Sequence, residues 1–184
     1  MLNLQKHVPT NQSLGLDEAT YWARVGVLAA LAIVLGYAET FIPIFSSIPG
    51  FRLGLANTIV LLALFILDAK SAAAIAAIKV LATGFLFGSP LMMMYSISGT
   101  TLAFLSMYAG KKAGVTFPVV LSIVGALFHN VGQLLVAHIV LGTSAVLYVW
   151  PLLVFAATFT GFVSGVVVRS IIAALRAGGD VWMP

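Results

Sequence analysis

Apolar runs of about twenty residues, separated by short polar or Pro/Gly-containing connections, follow one another along almost the whole chain. At about 1.5 Å rise per residue, such a run matches the roughly 30 Å hydrocarbon core of a bilayer. The first extends from about Trp22 to Ile42 and stops at Pro43, before the connection Phe41 to Phe51. The second begins near Leu53 and ends at Asp68, and the turn Asp68-Ala69-Lys70 leads into an alanine-rich third that ends around Gly88-Ser89-Pro90. The fourth covers about Leu91 to Ala109, the fifth about Phe117 to Leu141, and the sixth starts near Tyr148 and fades at Arg169. The pattern predicts an all-α integral membrane bundle of six transmembrane helices over residues 22–173. A polar N-terminal tail, 1–21, and a short C-terminal tail, 174–184, flank it.

Composition agrees: 61% of residues are hydrophobic, 8% are charged and the mean hydropathy is +1.13. A chain so poor in charge cannot cover itself with a water-compatible surface. No stretch is polar enough for a second, soluble domain, and the first 20 residues lack the continuous apolar core of a signal peptide. Cysteine is absent, which removes disulfides, thiolate nucleophiles and Cys-based metal sites.

The net charge of +4 reflects topology and not nucleic-acid binding, because the basic residues sit at span ends. With a cytoplasmic N-terminus, Lys6, Arg24, Lys70, Lys111, Lys112, Arg169 and Arg176 all fall on the cytoplasmic side and only Arg52 outside. The excess of positive charge inside places both termini there. Tyr37, Phe41, Tyr148 and Trp150 then form an aromatic belt at the outer rim.

Glu39 and Lys79 are single charges inside apolar runs. A charge near mid-membrane costs about 2.5–3.5 kcal/mol on insertion scales, so each needs a role. Two readings stand: mutual pairing, or contact with a zwitterionic or anionic ligand. In this topology Glu39, Arg52, Asn57, Tyr95, the Ser/Thr group from Ser96 to Thr101, and His129, Asn130 and Gln133 gather toward the outer leaflet, above drier inner halves. Such a cup, open to the outside, suits binding; a channel needs polar lining throughout. His129 and Gln133 share a helix face and Asn130 flanks them, offering donors and acceptors to a heterocycle or amide, or else bonds between helices. Arg52 either clamps a carboxylate or phosphate or anchors its helix to lipid headgroups.

Small residues at Ala23, Gly26 and Ala30 mark a face of the first span, while Gly161 and Gly165 form a GxxxG in the sixth. Internal packing explains most such faces, and the first span's face is open to another membrane subunit. Met92-Met93-Met94 points to different helix faces and reads as apolar packing, not a copper site.

Two stretches are more specific: PGFRLGLANTIVLLALFIL (Pro49 to Leu67) and FHNVGQLLVAHIVLGT (Phe128 to Thr143). Together with their spacing they resemble the Gx transporter family, also described as heptaprenyl diphosphate synthase component I, over about Arg24 to Arg169. Members resemble the S components of energy-coupling-factor importers, six-helix proteins of the prokaryotic cytoplasmic membrane that capture a vitamin or related micronutrient. The resemblance implies partners, namely a transmembrane coupling subunit and cytoplasmic ATPases, and a ligand-capping loop at Ile42 to Phe51. It also implies a site built from Arg52, Asn57, Asn130 and Gln133, and a coupling face on the first helix at Ala23, Gly26 and Ala30. No cofactor is implied.

The synthase name meets a chemical objection. Prenyl diphosphate synthases hold Mg²⁺ through aspartate-rich motifs, whereas the acidic residues here are Asp17, Glu18, Glu39, Asp68 and Asp180, with no DDxxD-like cluster. No phosphate loop, GxxxxGK[ST], is present either. The expectation is therefore a non-enzymatic substrate-binding subunit for a small molecule in contact with membrane lipid. The alternative is a non-catalytic accessory subunit of a prenyl diphosphate, quinone or flavin-linked electron-transfer system.

Overall fold

The computed structural model describes residues 11–41 and 54–178. Among them the structure is entirely helical: α1 (Asn11–Ala38), α2 (Asn57–Ile66), α3 (Ala69–Phe87), α4 (Pro90–Lys112), α5 (Pro118–Leu141) and α6 (Trp150–Ala177). Short 3₁₀ segments, Glu39–Phe41 and Ser144–Val149, follow α1 and precede α6. Local chemistry sets the boundaries. Pro90 and Pro118 open their helices in the first turn, where a missing N–H removes no bond. Ser89 Oγ accepts from Met92 N at 3.3 Å, and Gly142 ends α5 in the left-handed conformation at φ +62°.

Short turns make successive helices antiparallel. The α2–α3 turn meets the start of α1 through the Tyr21 hydroxyl, which donates to Asp68. Lys111, at the far end of α4, donates to the carbonyl of Leu64 near the end of α2. One end of the bundle thus holds Tyr21, Leu64 to Ser71, Lys111 and the last turns of α6. The opposite end holds Ser89, Gly142 and Trp150. The described starts and finishes of the chain, in α1 and α6, lie at the first of these ends.

The helices Glu18–Ala38, Ala69–Leu86, Pro118–Leu141 and Leu147–Ala177 are long and apolar enough to cross a membrane. α4 has 23 residues, but the run Tyr95 to Thr101 makes it more polar. The expected second span differs most. Its helix has ten residues, Asn57–Ile66, and is about 15 Å long, half a hydrocarbon core. α2 is apolar all round and packs against each of the other five helices, with Val60, Leu61 and Ala63 wholly buried. α1 begins at Asn11, well before the expected start of the first span, and packs only on α2, α3 and its own 3₁₀ turn among the described elements. Large apolar side chains such as Phe85, Phe155, Phe159 and Ile139 face outward, as an apolar solvent requires.

Close backbone approach holds α5 to α6. A Cβ on Gly165 would stand 2.5 Å from Val119 Cα, and one on Gly161 2.7 Å from Ile123 Cα. The GxxxG is therefore an internal seam. Gly26 on α1 faces open space, with nothing within 4 Å of an added Cβ. Gly165→Leu is expected to lower the melting temperature in detergent by the equivalent of about 1–3 kcal/mol, with Gly26→Leu neutral or stabilising; equal losses would refute the seam.

Asp68 caps α3, accepting from Lys70 N at 2.7 Å and Ser71 N at 2.9 Å. The Tyr21 hydroxyl, followed by the Ser71 amide, holds its carboxyl below the ordinary carboxylate range. A depressed folded-state value means stabilisation present above the unfolded value, about 3.9, and lost as pH falls through the folded one. Asp68→Ala should lower stability by about 1 kcal/mol at neutral pH. Melting curves taken down through pH 4 should show the wild type losing that margin and the variant already lacking it.

Candidate functional site

The polar side chains that interrupt the apolar helices meet inside the bundle. Lys79 is the eleventh of 19 residues in α3 and His129 the twelfth of 24 in α5, so both lie at mid-height of their helices. The first residue of α2, Asn57, sits between them. Lys79 Nζ donates to Asn57 Oδ1 at 2.5 Å, and Asn57 Nδ2 lies 3.1 Å from His129 Nδ1. On the other side of the ring, Gln133 Nε2 lies 3.1 Å from His129 Nε2. All four side chains are buried, Gln133 at 0% exposure.

Proton bookkeeping orders this chain. Lys79 has only donors to give, so Asn57 presents its oxygen to Lys79 and its NH₂ to the ring. His129 Nδ1 therefore accepts, and the ring proton sits on Nε2. Gln133 must offer its oxygen there; a half-turn of the amide, which exchanges two atoms of nearly equal size, supplies it. The result is a one-way sequence of donors from Lys79 through Asn57 and His129 to Gln133.

Glu39 joins the same point from α1. Its Oε1 accepts from the backbone N–H of Ala56 at 3.1 Å. A helix that starts in mid-membrane exposes amide donors that lipid cannot satisfy. Glu39 satisfies one of them, at the end of the helix dipole that favours negative charge. Glu39 and Lys79 thus reach consecutive residues, Ala56 and Asn57.

Two glycines make room for the ring. Gly54 has φ +80°, and a Cβ there would lie 2.9 Å from His129 Cδ2; one on Gly99 of α4 would lie 2.7 Å from His129 Nδ1. Neither was a candidate from sequence, nor was Thr83, whose hydroxyl donates to Lys79 O at 2.8 Å. A glycine that fits an aromatic ring has no signature until the ring is located.

The remaining candidates divide. Asn130 turns away from His129: its Nδ2 donates to Leu153 O of α6 at 3.0 Å, and its buried Oδ1 has no partner among the described residues. Thr100 Oγ1 is also buried without one. Tyr95 packs with Leu134, Ala137 and Leu153, and burial pulls it out of reach of water. Arg52 and the loop Ile42 to Phe51 lie outside the described residues. Ala23, Gly26 and Ala30 are all exposed on α1.

Of the expected cup, open to the outside, the described residues enclose only a small space at the polar centre. The space beside Asn57, between α2, α4, α5 and α6, is about 10 Å³, enough for a water and not for a vitamin. The central groups lie at mid-height of the bundle, where α2 starts. Among the described residues no cluster of three or more His, Asp and Glu side chains offers a metal site.

The geometry defines an all-helical, membrane-type bundle with a buried, hydrogen-bonded polar centre at the start of a half-length helix. Residues 28–171, from within α1 to within α6, match the sequence model described as heptaprenyl diphosphate synthase component I, and the chain belongs to that family. The description denotes one component of a multi-part assembly. Neither a curated protein nor a solved structure matches the chain.

Asn57→Leu should remove the acceptor of a buried lysine and one bond of His129, lowering stability by about 3–5 kcal/mol. Asn130→Leu removes one bond to a carbonyl and should lower it by about 1 kcal/mol. Thermal melts of the two variants test this order; similar losses would show that the Lys79–Asn57 bond is not central.

Proposed function

We propose that this protein is the substrate-capture subunit of a multi-subunit importer of the energy-coupling-factor type, in the cytoplasmic membrane of a prokaryote. In this reading the helices cross the membrane with both termini cytoplasmic, α2 reaching halfway. The single observation that carries the reading is the half-helix whose start brings Glu39, Asn57, Lys79 and His129 together at mid-height. Discontinuous helices that end at the bilayer midplane are a recurring way of presenting backbone and side-chain groups to a transported solute.

The substrate is a small polar ring compound with amide or carbonyl groups. Asn130 Oδ1, lacking a donor, accepts from it, and Gln133 and Asn57 supply amide contacts; Arg52 and Tyr95 complete the set. Opening requires displacement, since the present space holds only water. α1 is the helix to move, because among the described elements it packs on α2, α3 and its own 3₁₀ turn, and it carries Glu39 on its end. Its exposed face at Ala23, Gly26 and Ala30 meets the coupling subunit, which passes the motion from cytoplasmic ATPases to the site.

The family's description favours a second reading, a non-catalytic membrane subunit of a prenyl diphosphate synthase. The experiments separate them. A thermal-shift screen of purified protein against vitamins, flavins and quinone precursors should give one strong stabiliser, and Asn130→Leu should abolish that shift while lowering the unliganded melt only by the equivalent of about 1 kcal/mol. Gly26→Leu should keep ligand binding and lose co-purification with the coupling subunit. No stabiliser, together with co-purification of a prenyltransferase, would replace the importer reading by the second.

A further inference from the structure

A separate groove opens at the end of the bundle that holds both described chain limits. It runs between α5 and α6, has a volume of about 750 Å³, and includes Phe65, Phe117, Phe162, Val166, Arg169 and Arg176 in its walls. The two arginines are seven residues apart on α6, two turns along the same face. Both are exposed, and neither guanidinium has a hydrogen-bond or ion-pair partner among the described residues. The third cation nearby is already committed: Lys111 donates to Leu64 O and lies 5.3 Å above the Phe65 ring.

Polarity is graded along the groove. Arg176, in the last turn of α6, marks its basic end. Phe162 and Val166, 53% and 40% exposed, continue it toward mid-bundle. From Phe162 to Arg176 the helix rises about 21 Å. One leaflet with its headgroup layer is about 20–22 Å thick, half of the 40–45 Å total. The groove therefore has the length of a single leaflet, with cations at headgroup depth and aromatic and branched side chains at acyl depth.

We infer that this groove is a binding site for one anionic phospholipid of the surrounding bilayer. Its phosphate lies between Arg169 and Arg176, and one acyl chain lies along Phe117, Phe162 and Val166. Planar guanidinium forks bind phosphate with two parallel bonds, which lysine cannot reproduce. Basic pockets between helices on the positively charged face of a membrane protein are a recurring form of headgroup recognition. The site is independent of the micronutrient reading, sharing no residue with the polar centre.

The test uses the full chain, delipidated in a neutral detergent and titrated with phosphatidylglycerol, phosphatidylcholine of the same chains, farnesyl diphosphate or inorganic phosphate. Thermal shift and native mass spectrometry give the readouts. Phosphatidylglycerol should raise the melting temperature by several degrees and leave one lipid bound, with phosphatidylcholine giving less than a fifth of the shift. Arg169→Gln/Arg176→Gln should lose the shift but keep the lipid-free melt, and Arg169→Lys/Arg176→Lys should retain only part of it. Equal shifts from the two phospholipids, or a full shift in the glutamine variant, would overturn the site. Farnesyl diphosphate acting at tenfold lower concentration than phosphatidylglycerol would overturn the assignment to a bilayer lipid. Inorganic phosphate reproducing the whole shift would exclude any role for the groove's apolar wall.

Discussion

A helix that begins at mid-height inside an apolar bundle creates a demand that the rest of the bundle must meet. Its first amide groups have no partners in their own helix, and hydrocarbon offers none. Here α2 starts at the level of Lys79 and His129, and Glu39 reaches over from α1 to accept from Ala56. Asn57 on that same first turn accepts a hydrogen bond from Lys79 through its Oδ1 and donates one to His129 through its Nδ2. Remove the early start of α2 and these side chains lose their reason to converge. The half-length of α2, its burial on all sides and the position of the polar centre are one feature seen three ways.

The two ends of the bundle have contrasting chemistry. At the end holding both described chain limits, Lys70, Lys111, Lys112, Arg169 and Arg176 gather, and Asp68 ties the α2–α3 turn to α1. At the other end the exposed groups are Tyr37, Phe41, Tyr148 and Trp150. Basic residues placed on one side of a membrane protein set its orientation. Between those ends the polar centre is tightly packed, with glycines at 54 and 99 shaped around the imidazole ring.

Helix contacts also differ in kind, and this bears on movement. α5 and α6 meet backbone to backbone through Gly161 and Gly165, and Gly132 stands against Ser98 O of α4, close to Gly99 Cα. Those three helices form a rigid unit, because displacing glycine seams separates main chains. α1 makes no such seam at Gly26 and, among the described elements, packs on α2, α3 and its own 3₁₀ turn. The bundle is thus divided between α4, α5 and α6, joined by glycine seams, and α1, which is held by side-chain packing.

Much of this was legible in the residues themselves. Runs of apolar residues of bilayer length set the helices, since hydrophobic burial and backbone satisfaction in lipid both act locally along a helix. Glu39 and Lys79 announced a polar centre, because isolated charges in such runs are too costly to be idle. The spacing of His129 and Gln133 placed them on one face, where they now share the ring nitrogen. The family, too, was readable from Pro49 to Leu67 and Phe128 to Thr143. What tertiary structure alone decided was depth and partnership. Apolar composition cannot distinguish a full span from a buried half-helix, because α2 is equally apolar in either role; only packing against five neighbours fixed its start. Likewise, the sequence grouped Asn130 beside His129 and Gln133, and the turn of α5 sent Asn130 to Leu153 and Gln133 to His129. Contacts between distant segments depend on helix rotation and height, which no local pattern of residues encodes.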